Sequence, residues 1–422
     1  MERIVWSDTA AEPAVETEVY KGECQTSVAV IGGGYAGLSA ALHLAESGTD
    51  CLLLEAQAFG AGASGRNNGQ VIPGLKYGPD DLETRYGDAG AVVAQTAAGT
   101  ADLVFDLIEK HAIDCEPDRR GWVRAAHSPV ALPAIEKQAA QWERRGAPVE
   151  LLDRNQTESL LGTSNYIGGM IDRRAGRLQP LSYCRGLARA AKAAGAKLHQ
   201  HSPVRAMTRE GGRWRLDTDG GTVRADKVIL ATGAYHENLI PGWSTTFMTV
   251  QAMQIASEPL TANIARSILP GVSAMSDTRK LANAIRMDAA GRLAITGRGP
   301  LSGKIDNRIR GDLIRAITRL FPAVEGQVWS HIWAGRIGIT IDELPRLAAP
   351  RPACLAIVGF NGRGVAMATA LGKAAADHTI GREAGFPVVD APTIPFHSLR
   401  RPALATAISY YRMRDALGFA GR

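Results

Sequence analysis

Ser27-Val-Ala-Val-Ile31-Gly32-Gly33-Gly34-Tyr35-Ala36-Gly37, continuing to Cys51-Leu-Leu-Leu-Glu55, is the stretch whose reading decides the fold. A short apolar run meets a glycine turn. Leu38, Ala41, Leu42 and Ala45 then recur at helical spacing, and a second apolar run ends in an acid, so the order is strand, turn, helix, strand. In the Gly32-x-Gly34-x-x-Gly37 turn, Gly32 permits the tight bend and Gly34 lets a pyrophosphate approach the backbone. Gly37 lets helix and strand pack closely, and the helix N-terminus offers free N–H groups. Glu55 comes 18 residues after Gly37, about the ~20-residue spacing at which a carboxylate takes ribose hydroxyls. The turn, its helix and its terminal acid together predict a nucleotide site.

Two further pieces have the same character. Residues 204–229 alternate like a meander, and Lys227-Val-Ile-Leu-Ala-Thr232-Gly233 ends them as a buried strand stopped by glycine. Cys354-Leu-Ala-Ile-Val-Gly359 is a third apolar strand, feeding a glycine turn and a helix at 365–379. Between these pieces, 97–111, 130–144, 183–195 and 307–320 have helical spacing, while 246–258 and 283–297 read as strands. Interleaving explains this better than tandem domains. The expected class is α/β: a Rossmann-type domain with a parallel sheet, interleaved with a smaller α+β substrate domain with an antiparallel or mixed sheet. Segments 27–95, 165–240 and 325–385 are assigned to the first, 96–164 and 241–324 to the second. Residues 1–26 and 386–422 are assigned as terminal extensions, the latter ending in a solvated basic helix.

The sequence has 422 residues, 45% hydrophobic and 21% charged, which excludes a disordered or fibrous chain. Five scattered cysteines without a C-x-x-C pair indicate neither a disulfide framework nor a zinc site, and no metal is expected. Net charge is +6, but no run of like charges carries it, so nucleic acid is not an expected partner. The first 26 residues lack an apolar core, and no later stretch reaches ~18 uninterrupted apolar residues, so a cytoplasmic chain without a membrane span is expected. No H-E-x-x-H or G-x-S-x-G appears, which leaves hydrolysis without a foothold.

The choice of nucleotide rests on the loop beyond Glu55. Phe59-Gly-Ala-Gly-Ala-Ser64-Gly65-Arg66-Asn67-Asn68-Gly69-Gln70 resembles the FAD-dependent oxidoreductases of the D-amino-acid oxidase and glycine oxidase superfamily, most of all their gamma-glutamylputrescine oxidoreductase branch. The resemblance implies FAD, held non-covalently, since Cys354, the cysteine nearest the C-terminal motif, lies in a buried-looking strand. It places Gly32, Gly34, Tyr35, Ala36, Gly37, Glu55, Ser64, Arg66, Asn67 and Gly69 on the cofactor, with Val204 by the adenine and Thr232 and Gly233 beneath the adenosine. Asn361, Gly362, Arg363, Gly364 and Val365 resemble the flavin-contacting turn, with Arg363 where the family has histidine. A positive helix end there would stabilise the anion on the reduced flavin ring.

Trp333-Ala-Gly335-Arg336-Ile337-Gly338-Ile-Thr340-Ile-Asp342 resembles a family block in which arginine before proline grips an α-carboxylate. In register, that arginine is Ile337, which cannot make charge-assisted bonds. The implied reaction is oxidation of a primary or secondary amine lacking an α-carboxylate, by hydride transfer to flavin N5. Imine hydrolysis then gives an aldehyde, and O2 or another acceptor reoxidises the flavin, O2 giving H2O2. Asn67 and Gln70 are expected nearest the flavin and substrate as catalytic residues, with Gln254, Arg336 and Ile337 on the substrate; Gln251, Asp277, Arg279 and His236 are further candidates. Two alternatives stay open: an oxidase or dehydrogenase of a D- or N-substituted amino acid with Arg336 as the clamp, and a non-redox structural flavoprotein subunit. Oligomeric state is not legible.

Overall fold

A computed structural model describes residues 2–235 and 239–418. Among these residues the glycine-turn segment lies at the centre of a nine-stranded sheet. Gly22–Ile31 pairs in parallel with Gly221–Leu230 on one side and Cys51–Leu54 on the other, and the parallel order continues to Cys354–Val358 and Lys197–His199. The three apolar runs read from the sequence are therefore neighbours. Parallel strands need crossovers, and the helices Tyr35–Glu46, Pro180–Ala193 and Gly364–Thr379 cover the sheet. Val28, Val30, Leu53, Ile229 and Ile357 meet Leu38, Leu42, Leu187 and Leu371 in the larger core.

The second sheet has eight strands in the order His331–Ile339, Met248–Ala256, Leu293–Arg298, Ala284–Met287, Ala274–Asp277, Trp122–Ala125, Gly169–Asp172, Val149–Leu152. All neighbours are antiparallel except Ala274–Asp277 with Trp122–Ala125. Its outer face packs on helix Asn307–Leu320, where Ile309, Leu313 and Ile317 recur every four residues against Met253, Ile255, Ile285 and Ile295. Asp306 caps that helix, accepting from the N–H groups of Arg308 and Ile309 at 2.8 and 3.2 Å.

Pairing and packing depart from the expected segment boundaries at several places. Gly169–Asp172 and His331–Ile339, expected in the nucleotide-binding segments, are strands of the second sheet. Local pattern cannot say which sheet completes a strand's pairing. The helical run Asp88–Lys110, partly assigned to the substrate domain, packs Ala94, Ala97, Ala101, Val104 and Leu107 into the larger core. That run is also long and apolar enough to cross a membrane, but its apolar stripe is spent on this core.

Both expected extensions pack on the rest of the chain in their described residues. The first strand begins at Gly22, and helix Val5–Thr9 buries Val5 and Trp6 completely against Trp333, Leu181 and Ala294. Arg3 and Ile332 exchange backbone hydrogen bonds at 2.9 and 3.1 Å. At the other end, helix Arg400–Ala416 is held by Asp415, which accepts from the N–H groups of Lys280 and Leu281 at 2.8 and 3.0 Å.

Candidate active site

A cleft of about 910 Å³ runs between the two sheets, from Glu55 and Val204 at one end to Gln70, Ile337 and Phe360 at the other. The glycine turn forms its floor. Gly32 has φ +109°, and a Cβ there would lie 2.8 Å from the Ala231 carbonyl oxygen; a Cβ on Gly37 would collide with the Gly32 carbonyl. Gly34, the N-cap of helix Tyr35–Glu46, has no side chain to cap it, and the Tyr35 N–H of the first turn donates to Ser64 Oγ at 3.0 Å. Glu55 closes this end, its carboxylate accepting from the Gly33 N–H at 2.5 Å and the Gln57 N–H at 2.8 Å. Burial raises its pKa above the usual carboxylate range, and the Gly33, Gln57 and Ala56 N–H groups oppose that shift.

The other half is built where the loop Arg66–Gln70 lies along one row of the second sheet. Pairing puts Trp333, Gln254, Thr296, Ala284, Ser276 and Arg124 side by side across six strands. Trp333 Nε1 donates to the Arg66 carbonyl at 2.9 Å, joined there by Gln254 Nε2. Asn68 Nδ2 donates to Thr296 Oγ1 at 2.9 Å. Gln70 Nε2 donates to the Met275 and Ile285 carbonyls at 3.0 and 3.2 Å, and its Oε1 accepts from Ser276 Oγ at 3.1 Å.

Gln70 and Asn67 line the cleft, but both amides are committed to scaffolding. Asn67 Nδ2 donates to Tyr35 Oη, Ala63 O and Ser64 O, and its Oδ1 accepts from the Gly69 N–H at 2.7 Å. Both residues were expected as catalytic, and both stand in the cleft with their amides bonded to the protein. The geometry makes them braces, because each side chain's nearest polar partners are the protein's own backbone and hydroxyl groups.

Of the other expected residues, Gly32, Gly34, Tyr35, Ala36, Ser64, Arg66, Gly69, Val204, Thr232, Gly233, Gly362, Gly364 and Val365 line the cleft, as do Gln251, Gln254, Arg336 and Ile337. Gly37 acts from behind, by allowing the turn. Asn361 and Arg363 do not line it. Asn361 sits at φ +53° and accepts from the Thr340 N–H at 3.0 Å, while Arg363 Nη1 donates to the Pro73 carbonyl at 3.0 Å. Their side chains fasten the turn to its neighbours, leaving Gly362 and Gly364 facing the cleft. Asp277 is paired with Arg279 at 2.5 Å outside the cleft, and His236 lies outside the described residues. Glu2, Tyr235, Thr296 and Lys304 also line the cleft and were not anticipated. Tyr235 alone had a signal, as it stands two residues beyond the Ala-Thr-Gly strand end.

These residues fit FAD. The glycine cradle admits a pyrophosphate, and two buried atoms of cleft-lining residues, Thr232 Oγ1 and Asn68 Oδ1, have no protein partner. No cysteine lines the cleft among the described residues. Cys354 is buried in its strand, where burial pushes its thiol up to about 12.

Comparison with known proteins agrees with this geometry. Residues 27–378 match the family model described as FAD dependent oxidoreductase. A probable oxidoreductase OrdL of Rhizobium meliloti is 32% identical over 94% of each chain. The gamma-glutamylputrescine oxidoreductase of Escherichia coli is 30% identical over 93% of each. The crystal structure of glycine oxidase from Geobacillus kaustophilus, 21% identical, superposes with a TM-score of 0.74 over 88% of this chain and 99% of its own. The chain belongs to the FAD dependent oxidoreductase family.

Proposed function

We propose that this enzyme oxidises the C–N bond of a primary or secondary amine without an α-carboxylate, of the gamma-glutamylputrescine kind, to an imine that water hydrolyses to an aldehyde. Bound FAD supplies the two-electron oxidation, and O2, giving H2O2, is the proposed acceptor. The observation that carries the reading is at the family's carboxylate clamp. Ile337 lines the cleft there; the adjacent Arg336, paired across the sheet with Gln251, lines it too but is not the residue at the clamp position. The Arg336 guanidinium is exposed and stacks over Tyr235, 5.2 Å from the ring centre.

The chain's own task is then to bind, desolvate and align. Ile72, Ile337, Val358 and Phe360 supply apolar walls. Arg66, Lys304 and Arg336 line the cleft with only Glu2 and Glu55 as carboxylates among its described lining residues, and Glu2 is paired with Arg66 at 2.8 Å. A cationic lining disfavours the ammonium form of a bound amine, so it favours the neutral amine from which hydride can leave. The free cysteines, four of them buried, support a reducing compartment.

The test is an anaerobic visible spectrum of the purified protein before and after adding polyamines, their γ-glutamyl derivatives, N-methyl amines and D-amino acids. Bleaching by amines but not amino acids supports the reading. Bleaching by amino acids alone refutes it and assigns Arg336 as the clamp.

A further inference from the structure

Three consecutive carbonyls of the cleft loop each accept from a distant indole or guanidinium, the first of them also from Gln254 on the cleft wall. Trp333 Nε1 holds Arg66 O at 2.9 Å, Trp6 Nε1 holds Asn67 O at 2.7 Å, and Arg286 Nη1 holds Asn68 O at 3.2 Å. The donors form a stack. The Trp6 and Trp333 rings meet edge to face at 5.8 Å, and the Arg286 guanidinium lies 4.6 Å over the Trp6 ring. All three side chains are fully buried and none lines the cleft, whereas Arg66, Asn67 and Asn68 do. The donors therefore stand behind the loop, and the negative ends of its peptide dipoles turn toward them. Burial, with the Arg177 charge adding to it, brings the Arg286 pKa down to about 9, so it stays a cation at neutral pH.

We propose that Trp6 is a positioning residue of the flavin site, through which the N-terminal segment holds the Arg66–Gln70 loop with its carbonyls facing away from the cleft. The N–H ends of two of these peptides are taken within the loop, Asn67 N–H by the Ala63 carbonyl at 3.0 Å and Gly69 N–H by Asn67 Oδ1 at 2.7 Å, so the Asn67–Asn68 peptide, the one Trp6 turns, is the one whose dipole of about 3.5 D is left to favour an electron-rich, reduced cofactor. The segment is pinned at both sides of Trp6. Glu2 accepts from Arg66 Nη1 at 2.8 Å and from the Ala334 N–H at 3.1 Å, and Gln179 Nε2 donates to the Trp6 carbonyl at 2.7 Å. Trp6 is the middle of the three donors and the only one from outside the family-matched residues 27–378.

The variant Trp6→Phe keeps the ring on its neighbours and removes only the N–H. Its control is Trp214→Phe, which loses an indole bond to the Pro352 and Ala353 carbonyls at 3.2 and 3.1 Å in another part of the core. Apoprotein is titrated with FAD, and the midpoint potential of the bound flavin is measured by dye-coupled anaerobic reduction. Trp6→Phe is expected to weaken FAD binding on the order of fivefold, as for one buried hydrogen bond, and to lower the potential. Trp214→Phe is expected to change neither while lowering thermal stability comparably. Identical behaviour of the two variants would overturn the proposal. Hydrogen exchange on the unmodified chain tests it without a mutation: FAD should protect residues 2–9 together with 66–70, and protection of 66–70 alone refutes it. The inference rests on FAD occupying this cleft. Wild-type protein that binds no FAD would refute that placement, whereas bound FAD with indistinguishable variants refutes only the role of Trp6.

Discussion

Replacing Gln70 by leucine conserves much of the side chain's volume and removes its polar end. The Gln70 amide makes two donated bonds and one accepted bond at 3.0–3.2 Å, in a side chain only 8% exposed. At about 1 kcal/mol net for each, the loss amounts to roughly 3 kcal/mol, with more if the Met275 or Ile285 carbonyl is left unpaired. The same bonds fix the loop's height above the second sheet. A displacement near 1 Å in a group that positions reactants costs about a hundredfold in rate, so anaerobic flavin reduction should slow tenfold to a hundredfold. Urea unfolding, followed by flavin and tryptophan fluorescence, measures the first effect. Stopped-flow bleaching with the amine that best reduces the wild type measures the second. A double-mutant cycle with Ser276→Ala should return a coupling of about 1 kcal/mol, since Ser276 contributes one of the three bonds. Stability within 0.5 kcal/mol of wild type and reduction within about twofold would refute the bracing role.

Gly37→Ala puts a methyl group against the Gly32 carbonyl and within 3.4 Å of Ala231 Cβ, where backbone cannot yield. Overpacking of this kind costs about 1–3 kcal/mol, and because it opens the turn that faces the pyrophosphate, FAD affinity measured on apoprotein should fall at least tenfold. A second measurement concerns acid. Burial raises the Asp118 pKa, but hydrogen bonds from Arg120 and Ser273 and the charges of Arg177 and Arg120 outweigh it and hold the group at about 2. A depressed carboxylate stabilises the fold above its unfolded value near 3.8, and that contribution, about 2 kcal/mol, is lost as pH falls from 4 toward 2. Asp118→Asn should flatten the pH dependence of thermal stability in this window and lower stability at pH 7; an unchanged acid limb would contradict the pairing.

The first βαβ unit was legible because its signals are local. A glycine with positive φ, two close approaches and an acid at the end of a strand leave their mark within 30 residues, and the chain cannot build that turn otherwise. Ile337 could be singled out because the resemblance of the block Trp333–Asp342 is also local, its register read from residues a few positions apart. Sequence reasoning failed where a residue's partners come from distant segments. Gln70 was expected as a catalytic residue, and nothing near it in the chain announces its partners Met275, Ser276 and Ile285. Asn361 and Arg363 were expected on the cofactor because their turn resembles a flavin-contacting one; their side chains' bonds to Thr340 and Pro73 depend on how two lobes close.

Short-range pattern was enough to establish a dinucleotide-binding turn on a parallel sheet, and to carry the resemblance that sets isoleucine at the place of a clamping arginine. Both are properties of residue spacing and of side-chain chemistry. Long-range packing alone settled that 169–172 and 331–339 complete the second sheet, and that Trp6, far before the loop it holds, closes the back of the site. Backbone donors and buried indoles must find partners somewhere, and which partners they find is fixed by contacts that no local window contains.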